Sequence, residues 1–152
     1  GMKINMADVN AAIGLAQIRQ YENLLKERKR VFNTYAKAFA NSDWAITPPA
    51  TSDIKESSYH VYALRIKGIT EGQRDAIIQE ISKNEVAVNV HFIPMPMLTL
   101  FKGMGYDIKN YPQAYKNFAH EISLPVYPQL TEEEVLFVAE TVIKAYETVV
   151  KK

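Results

Sequence analysis

The sequence predicts an α+β fold: a two-layer sandwich in which helices pack on a small, mostly antiparallel sheet. Three observations predict it. Capping-box pairs, Thr70 with Gln73 and Thr131 with Glu134, stand ahead of amphipathic stripes. The segments 59–66 and 86–92 alternate with the two-residue period of a strand. The two kinds of element interleave in the order helix, strand, helix, strand, helix, short strand, helix.

The first helix is expected over 7–40. Asp8 lies near its start, where it can cap free N–H groups or favour the positive helix end. Tyr21, Leu24, Leu25, Val31, Phe32, Tyr35 and Phe39 recur at helical spacings. Ala11, Ala12, Ile13, Gly14, Leu15 and Ala16 are small or apolar almost all round, as in a helix covered on every side. A helix of about 34 residues spans roughly 50 Å, more than a domain of this size needs. Its first two turns are therefore expected to project and to pack on something else. Lys26, Arg28, Lys29 and Arg30 read as a solvated helix face.

Residues 41–58, with Pro48-Pro49 and several Ser and Thr, read as a loop that Trp44 and Ile46 pin to the core. A strand follows over 59–66, then a helix over 70–84 burying Ile77, Ile78 and Ile81. Val86, Val88, Val90 and Phe92 alternate with Ala87, Asn89 and His91, a second strand that Pro94 and Pro96 end. Residues 98–103 suit a short helix closed by Gly103 and Gly105. Pro112 suits a helix start, with Ala114, Tyr115, Phe118, Ala119 and Ile122 as the apolar stripe. A short strand is expected over 123–126. Val135, Val138, Ala139, Val142, Ile143, Tyr146, Val149 and Val150 mark a final amphipathic helix.

The 152 residues make one ordinary domain. Eighteen Lys and Arg against 17 Asp and Glu give a net charge of +1, which offers no dominant basic field to nucleic acid or an anionic membrane. There is no cysteine, so disulfides, thiolate metal sites and a cysteine nucleophile are excluded, and the composition reads as intracellular and cytoplasmic. No apolar run is long enough for a transmembrane helix, and the first 30 residues carry no signal-peptide core.

The three histidines, His60, His91 and His120, share no metal-type spacing, so no metal site is expected. His120 reads as surface and His60 as structural. His91 stands at a strand end before a Pro-rich turn, where a rigid element can present a side chain. From pattern alone, a structural role for it still outweighs a ligand role. Glu132, Glu133 and Glu134 read as helix-start acids. No Gly-rich phosphate loop, nucleophile elbow or nucleophile–base pair is present. Lys3, Ile4 and Asn5 before a helix start form a short, weak phosphate-site pattern.

Taken together, several segments resemble the DegT/DnrJ/EryC1/StrS family of sugar aminotransferases. Residues 1–17 (GMKINMADVNAAIGLAQ) look like that family's entry into its long interdomain helix. His60-Val61-Tyr62 resembles the strand that opens its small domain. Asn89-Val90-His91-Phe92-Ile93-Pro94 resembles its strand-and-turn block. Tyr111-Pro112 with Ala114, and then residues 121–131 (EISLPVYPQLT), resemble its C-terminal block.

The resemblance implies the C-terminal small domain, 1–152, of a fold-type-I aminotransferase, with 1–40 as the interdomain helix and the large cofactor-binding domain absent from this chain. It implies a homodimer that moves an amino group, typically from glutamate, onto a nucleotide-linked keto sugar. The implied cofactor is pyridoxal 5'-phosphate, held as a Schiff base by a large-domain lysine. No lysine here matches that motif, so this chain alone is expected to bind no cofactor, to be inactive and to carry no catalytic residue. Carried over by position, Lys3 and Asn5 fall at the cofactor phosphate, and Asn5 also near the sugar diphosphate. His91 and Phe92 fall near the nucleotide-sugar pyrophosphate. Phe92 lacks the hydroxyl of the Tyr often found there, and Met95-Pro96-Met97 stands where the family often has a second histidine. The other reading is a stand-alone interaction or regulatory domain derived from the same fold.

Overall fold

The computed structural model describes residues 4–151. The first helix, α1, runs Asp8–Ala38. Three short strands follow, β1 (Ala45–Ile46), β2 (Thr51–Ser52) and β3 (Lys55–Glu56), and then β4 (Tyr62–Ile66). After β4 come α2 (Glu71–Ser82), α3 (Thr99–Gly103), α4 (Pro112–His120), β5 (Glu121–Leu124) and α5 (Glu132–Val150). Strands β1, β4 and β5 form one antiparallel sheet in the order β1-β4-β5, while β2 and β3 pair as a separate ribbon. The fold is the expected α+β arrangement.

One face of the sheet makes the core. Tyr62, Leu64 and Ile66 on β4 join Ile122 and Leu124 on β5, and α1, α2 and α5 cover them with Phe32, Tyr35, Ile77, Ile81, Val135 and Val142. Alternation puts Ala63 opposite Ser123 and Arg65 opposite Glu121 on the other face. Burial pushes the Tyr35 and Tyr62 phenols far above their ordinary range, so both stay neutral. The Tyr35 hydroxyl donates to the Pro125 carbonyl at 3.1 Å.

Both capping boxes form. Thr70 Oγ1 accepts from the Gln73 N–H and Thr131 Oγ1 from the Glu134 N–H, each at 3.2 Å, and each partner side chain bonds back. The buried face of α2 differs from expectation: Arg74 joins Ile77 and Ile81 inside, and Ile78 is half-buried. The Arg74 guanidinium donates to the Phe118 carbonyl at 2.7 Å and lies over the Phe118 ring, tying α2 to α4.

The strand expected over 86–92 does not form. Asn89 makes one bridge to Ser123, and the ladder goes no further. The next ladder donor, the His91 N–H, is diverted to Glu121 Oε2 at 3.0 Å, while the Val90 N–H, on the side away from β5, bonds Asn89 Oδ1 at 2.8 Å. The third strand comes instead from the expected loop, where Ala45 and Ile46 pair with Ile66 and Arg65. Trp44 sets that pairing by stacking on Tyr146 at 4.2 Å. Strand β4 starts at Tyr62, opposite Leu124 at the end of β5, rather than at Tyr59, whose φ is +52°. Strand β5 begins two residues earlier than expected, at Glu121.

The N-terminal half of α1 projects further than two turns, with every residue of 15–23 exposed. Ala7 caps the helix without a side-chain bond, so Asp8 acts through the helix dipole. The basic stretch is not simply solvated. Arg30 donates to Glu27 and to the Leu130 carbonyl, Lys29 pairs with Glu56 and lies over Tyr59, and Arg28 is half-buried.

Candidate functional site: a histidine groove on the open sheet face

The face of the sheet away from the core carries Ala63 and Arg65 on β4, and Glu121 and Ser123 on β5. The segment after Asn89 crosses this face and lays His91 against β5. His91 lines two adjoining cavities. One, of about 430 Å³, is walled by His60, Ala87, Asn89, Ser123 and Pro125. The other, of about 440 Å³, is walled by Pro48, Arg65, Phe92, Asn117 and Glu121. His91 thus stands between the halves of one groove.

Three side chains fix its position. Its Nδ1 lies 2.7 Å from Ser123 Oγ, and the Ser123 hydroxyl in turn donates to Glu121 Oε1. The other carboxylate oxygen of Glu121 accepts from the His91 backbone N–H. Glu121 and Ser123 are only 5% and 4% exposed, whereas His91 is exposed. A buried carboxylate survives only when its oxygens are satisfied, and here both are. Phe92 packs edge-on to the His91 ring at 4.5 Å and is itself 71% exposed. Across the groove, Arg65 Nη1 donates to Asn117 Oδ1 at 2.8 Å, which aims its cationic head into the second cavity's wall.

The structure therefore brings His91 and Phe92 together. Asn5 lies apart, exposed in the segment before α1, and Lys3 falls outside the described residues. His60 reaches the same groove although it read as structural. His120 ends α4 half-buried, its pKa lowered by burial first and then by Lys116. Four groove residues went unseen in the sequence: Arg65, Asn117, Glu121 and Ser123. The last two alternate with Ile122 and Leu124, so placing the strand at 121 would have put both on one face.

Pyridoxal phosphate needs a lysine and a walled phosphate cradle. No lysine lines either cavity at His91, and Asn5 is exposed. The groove at His91 does not by itself fit that cofactor. Among the described residues there is also no cluster of three metal-ligating side chains, and no helix is long and apolar enough to cross a membrane.

The fold superposes on that of Spr1654 from Streptococcus pneumoniae, assigned as a sugar aminotransferase, with a TM-score of 0.93 and 39% identity. The match covers 97% of this chain and 37% of that one. The same protein is known in a PLP form, matched at a TM-score of 0.92. The spore coat polysaccharide biosynthesis protein SpsC of Bacillus subtilis is 29% identical across 99% of this chain and 38% of its own length. The UDP-4-amino-4,6-dideoxy-N-acetyl-beta-L-altrosamine transaminase of Campylobacter jejuni is 26% identical across 99% of this chain and 40% of its own. The chain thus spans about two fifths of the length of these relatives. Residues 1–143 match the family profile, and the chain belongs to the DegT/DnrJ/EryC1/StrS aminotransferase family.

Proposed function

We infer that this chain serves as the small domain of a pyridoxal-phosphate-dependent aminotransferase. The enzyme transfers an amino group, with glutamate as donor, to a nucleotide-linked keto sugar used in cell-surface polysaccharide or deoxy-amino-sugar synthesis. The observation that carries this reading is the 39% identity to Spr1654 at a TM-score of 0.93 over nearly the whole chain. In this reading 1–40 forms the interdomain helix, and a large domain supplies the cofactor lysine. The enzyme works as a cytoplasmic homodimer. Lys3 and Asn5 reach the partner's cofactor and sugar-diphosphate phosphates, and His91 with Phe92 borders the pyrophosphate.

The test uses the full-length gene product with pyridoxal phosphate, L-glutamate and a set of UDP- and dTDP-linked keto sugars. Mass spectrometry should show an amino sugar nucleotide formed in step with 2-oxoglutarate. Glutamate turnover with no sugar nucleotide aminated would overturn the substrate class. The 152-residue chain incubated with pyridoxal phosphate and borohydride should give no single stoichiometric lysine adduct. A unique adduct would place the cofactor lysine within this chain.

A further inference from the structure

The contacts around His91 specify more than its place. We propose that Glu121 and Ser123 are positioning residues that hold the His91 ring with its proton on Nδ1, so that the neutral ring turns a bare Nε2 lone pair to the groove. The consequence is that the groove accepts an anion at His91 only when the ring is protonated.

The assignment follows from counting donors. A carboxylate has acceptors only, and a hydroxyl has one proton and two lone pairs. Glu121 Oε1 takes the single Ser123 proton, and Glu121 Oε2 is occupied by the His91 backbone N–H. Ser123 Oγ is then left with lone pairs toward Nδ1 at 2.7 Å, which requires a proton on Nδ1. Among the described residues no side chain or backbone group bonds Nε2. The buried pair sits in a strand anchored on both sides, to β4 along its length and to Asn89 by reciprocal backbone bonds of 3.2 and 2.7 Å. The relay's geometry is therefore set by the sheet rather than by a mobile loop.

A phosphate oxygen is also an acceptor, so it meets a lone pair on the neutral ring and an N–H on the charged one. The charged and titratable groups facing His91 across the two cavities are Glu121 on β5, Arg65 on β4 and His60 just before β4. Ser123 and Asn117 are neutral. This consequence, unlike the tautomer, rests on reading the groove as a nucleotide-sugar site.

The test starts with the 15N-labelled chain at a pH where His91 is neutral. Nitrogen shifts should report an Nδ1–H tautomer, and an Nε2–H tautomer in the native chain would overturn the proposal. Ser123→Ala removes the acceptor and should move His91 toward Nε2–H. Glu121→Gln, nearly isosteric, can donate its amide to Ser123 and free the hydroxyl to donate to Nδ1, moving the ring the same way. A tautomer indifferent to both changes would also overturn it.

The second measurement titrates uridine diphosphate against the His91 signals across pH. Affinity in the native chain should be full while the His91 ring carries a proton on Nε2 and fall about ten- to a hundredfold once Nε2 is bare. In Ser123→Ala the fall should be shallower, because a neutral Nε2–H ring can still donate. A merely structural Ser123 would lower affinity at every pH without flattening the profile, and equal slopes would sink the switch. If uridine diphosphate leaves His91 unmoved at every pH while the tautomer is as assigned, the fault lies with the ligand reading, and the positioning role stands.

Discussion

At the residue scale, His91 decides whether the groove handles substrate or only completes the fold. A charge-assisted hydrogen bond to phosphate contributes roughly 1.5–3 kcal/mol. Loss of the ring in the full-length enzyme should therefore weaken nucleotide-sugar handling about ten- to a hundredfold in His91→Ala. The half-reaction with the amino donor should stay nearly intact, because no phosphate of the sugar nucleotide takes part in it. Measuring both half-reactions and the melting temperature separates the readings. Equal losses in both, or a lower melting temperature with unchanged sugar kinetics, would make His91 a strand-cover residue. His91 was legible as a candidate because it precedes a Pro turn. Its supports were not. Glu121 and Ser123 lie 30 and 32 residues away, and their meaning depends on burial, which a lone Glu and Ser do not announce. Arg65 and Asn117 were hidden for the same reason: each is an ordinary polar residue until the sheet and α4 set them 2.8 Å apart.

At the scale of elements, the sequence was most readable where a local signal and a tertiary need agree. The Thr70 and Thr131 boxes name their partners three residues on, and both form. The Thr131 box starts the helix that supplies Val135, Val138 and Val142 to the core, so Thr131→Ala should cost about 1 kcal/mol. For a chain this long that corresponds to a melting point lower by about 3 °C. Glu134→Gln keeps an acceptor for the Thr131 N–H and should lose less. A melting point unchanged in Thr131→Ala would mean that packing alone sets where α5 begins. The segment 86–92 failed for the opposite reason. Its alternation was as clear as that of β4, yet the Glu121 side chain captures the His91 N–H, the donor the ladder would need next. Strand β1 shows the converse. Two residues leave no period to read, and the stacking of Trp44 on Tyr146 creates the pairing. Alternation records which side chains seek cover, not which backbone groups find each other.

At the scale of the whole molecule, α1 is divided between two tasks. Its C-terminal half, through Val31, Phe32 and Tyr35, belongs to the core. Its N-terminal half carries Val9 and Ile13, one turn apart on one face, at 71% and 58% exposure, and Ile18 at 73% on the side opposite Val9. The apolar girdle was legible from sequence as a surface made to be covered. A contiguous apolar patch on a protruding helix is costly in water and finds a partner when one is available. In the homodimer proposed above, that partner is a second copy of the chain, and self-association should follow even without other domains. Sedimentation of the 152-residue chain should show a mass rising from 17.3 kDa toward twice that value as concentration increases. Replacing Val9 and Ile13 together by Glu should hold the chain at the monomer mass. Neither side chain belongs to the buried core, so at a dilution where the native chain is also monomeric the double variant should melt at the native temperature, and a mass change at higher concentration cannot be put down to unfolding. A native chain that stays monomeric at every concentration while its circular dichroism retains the full helix content of α1 would show that this face is not built for a second copy.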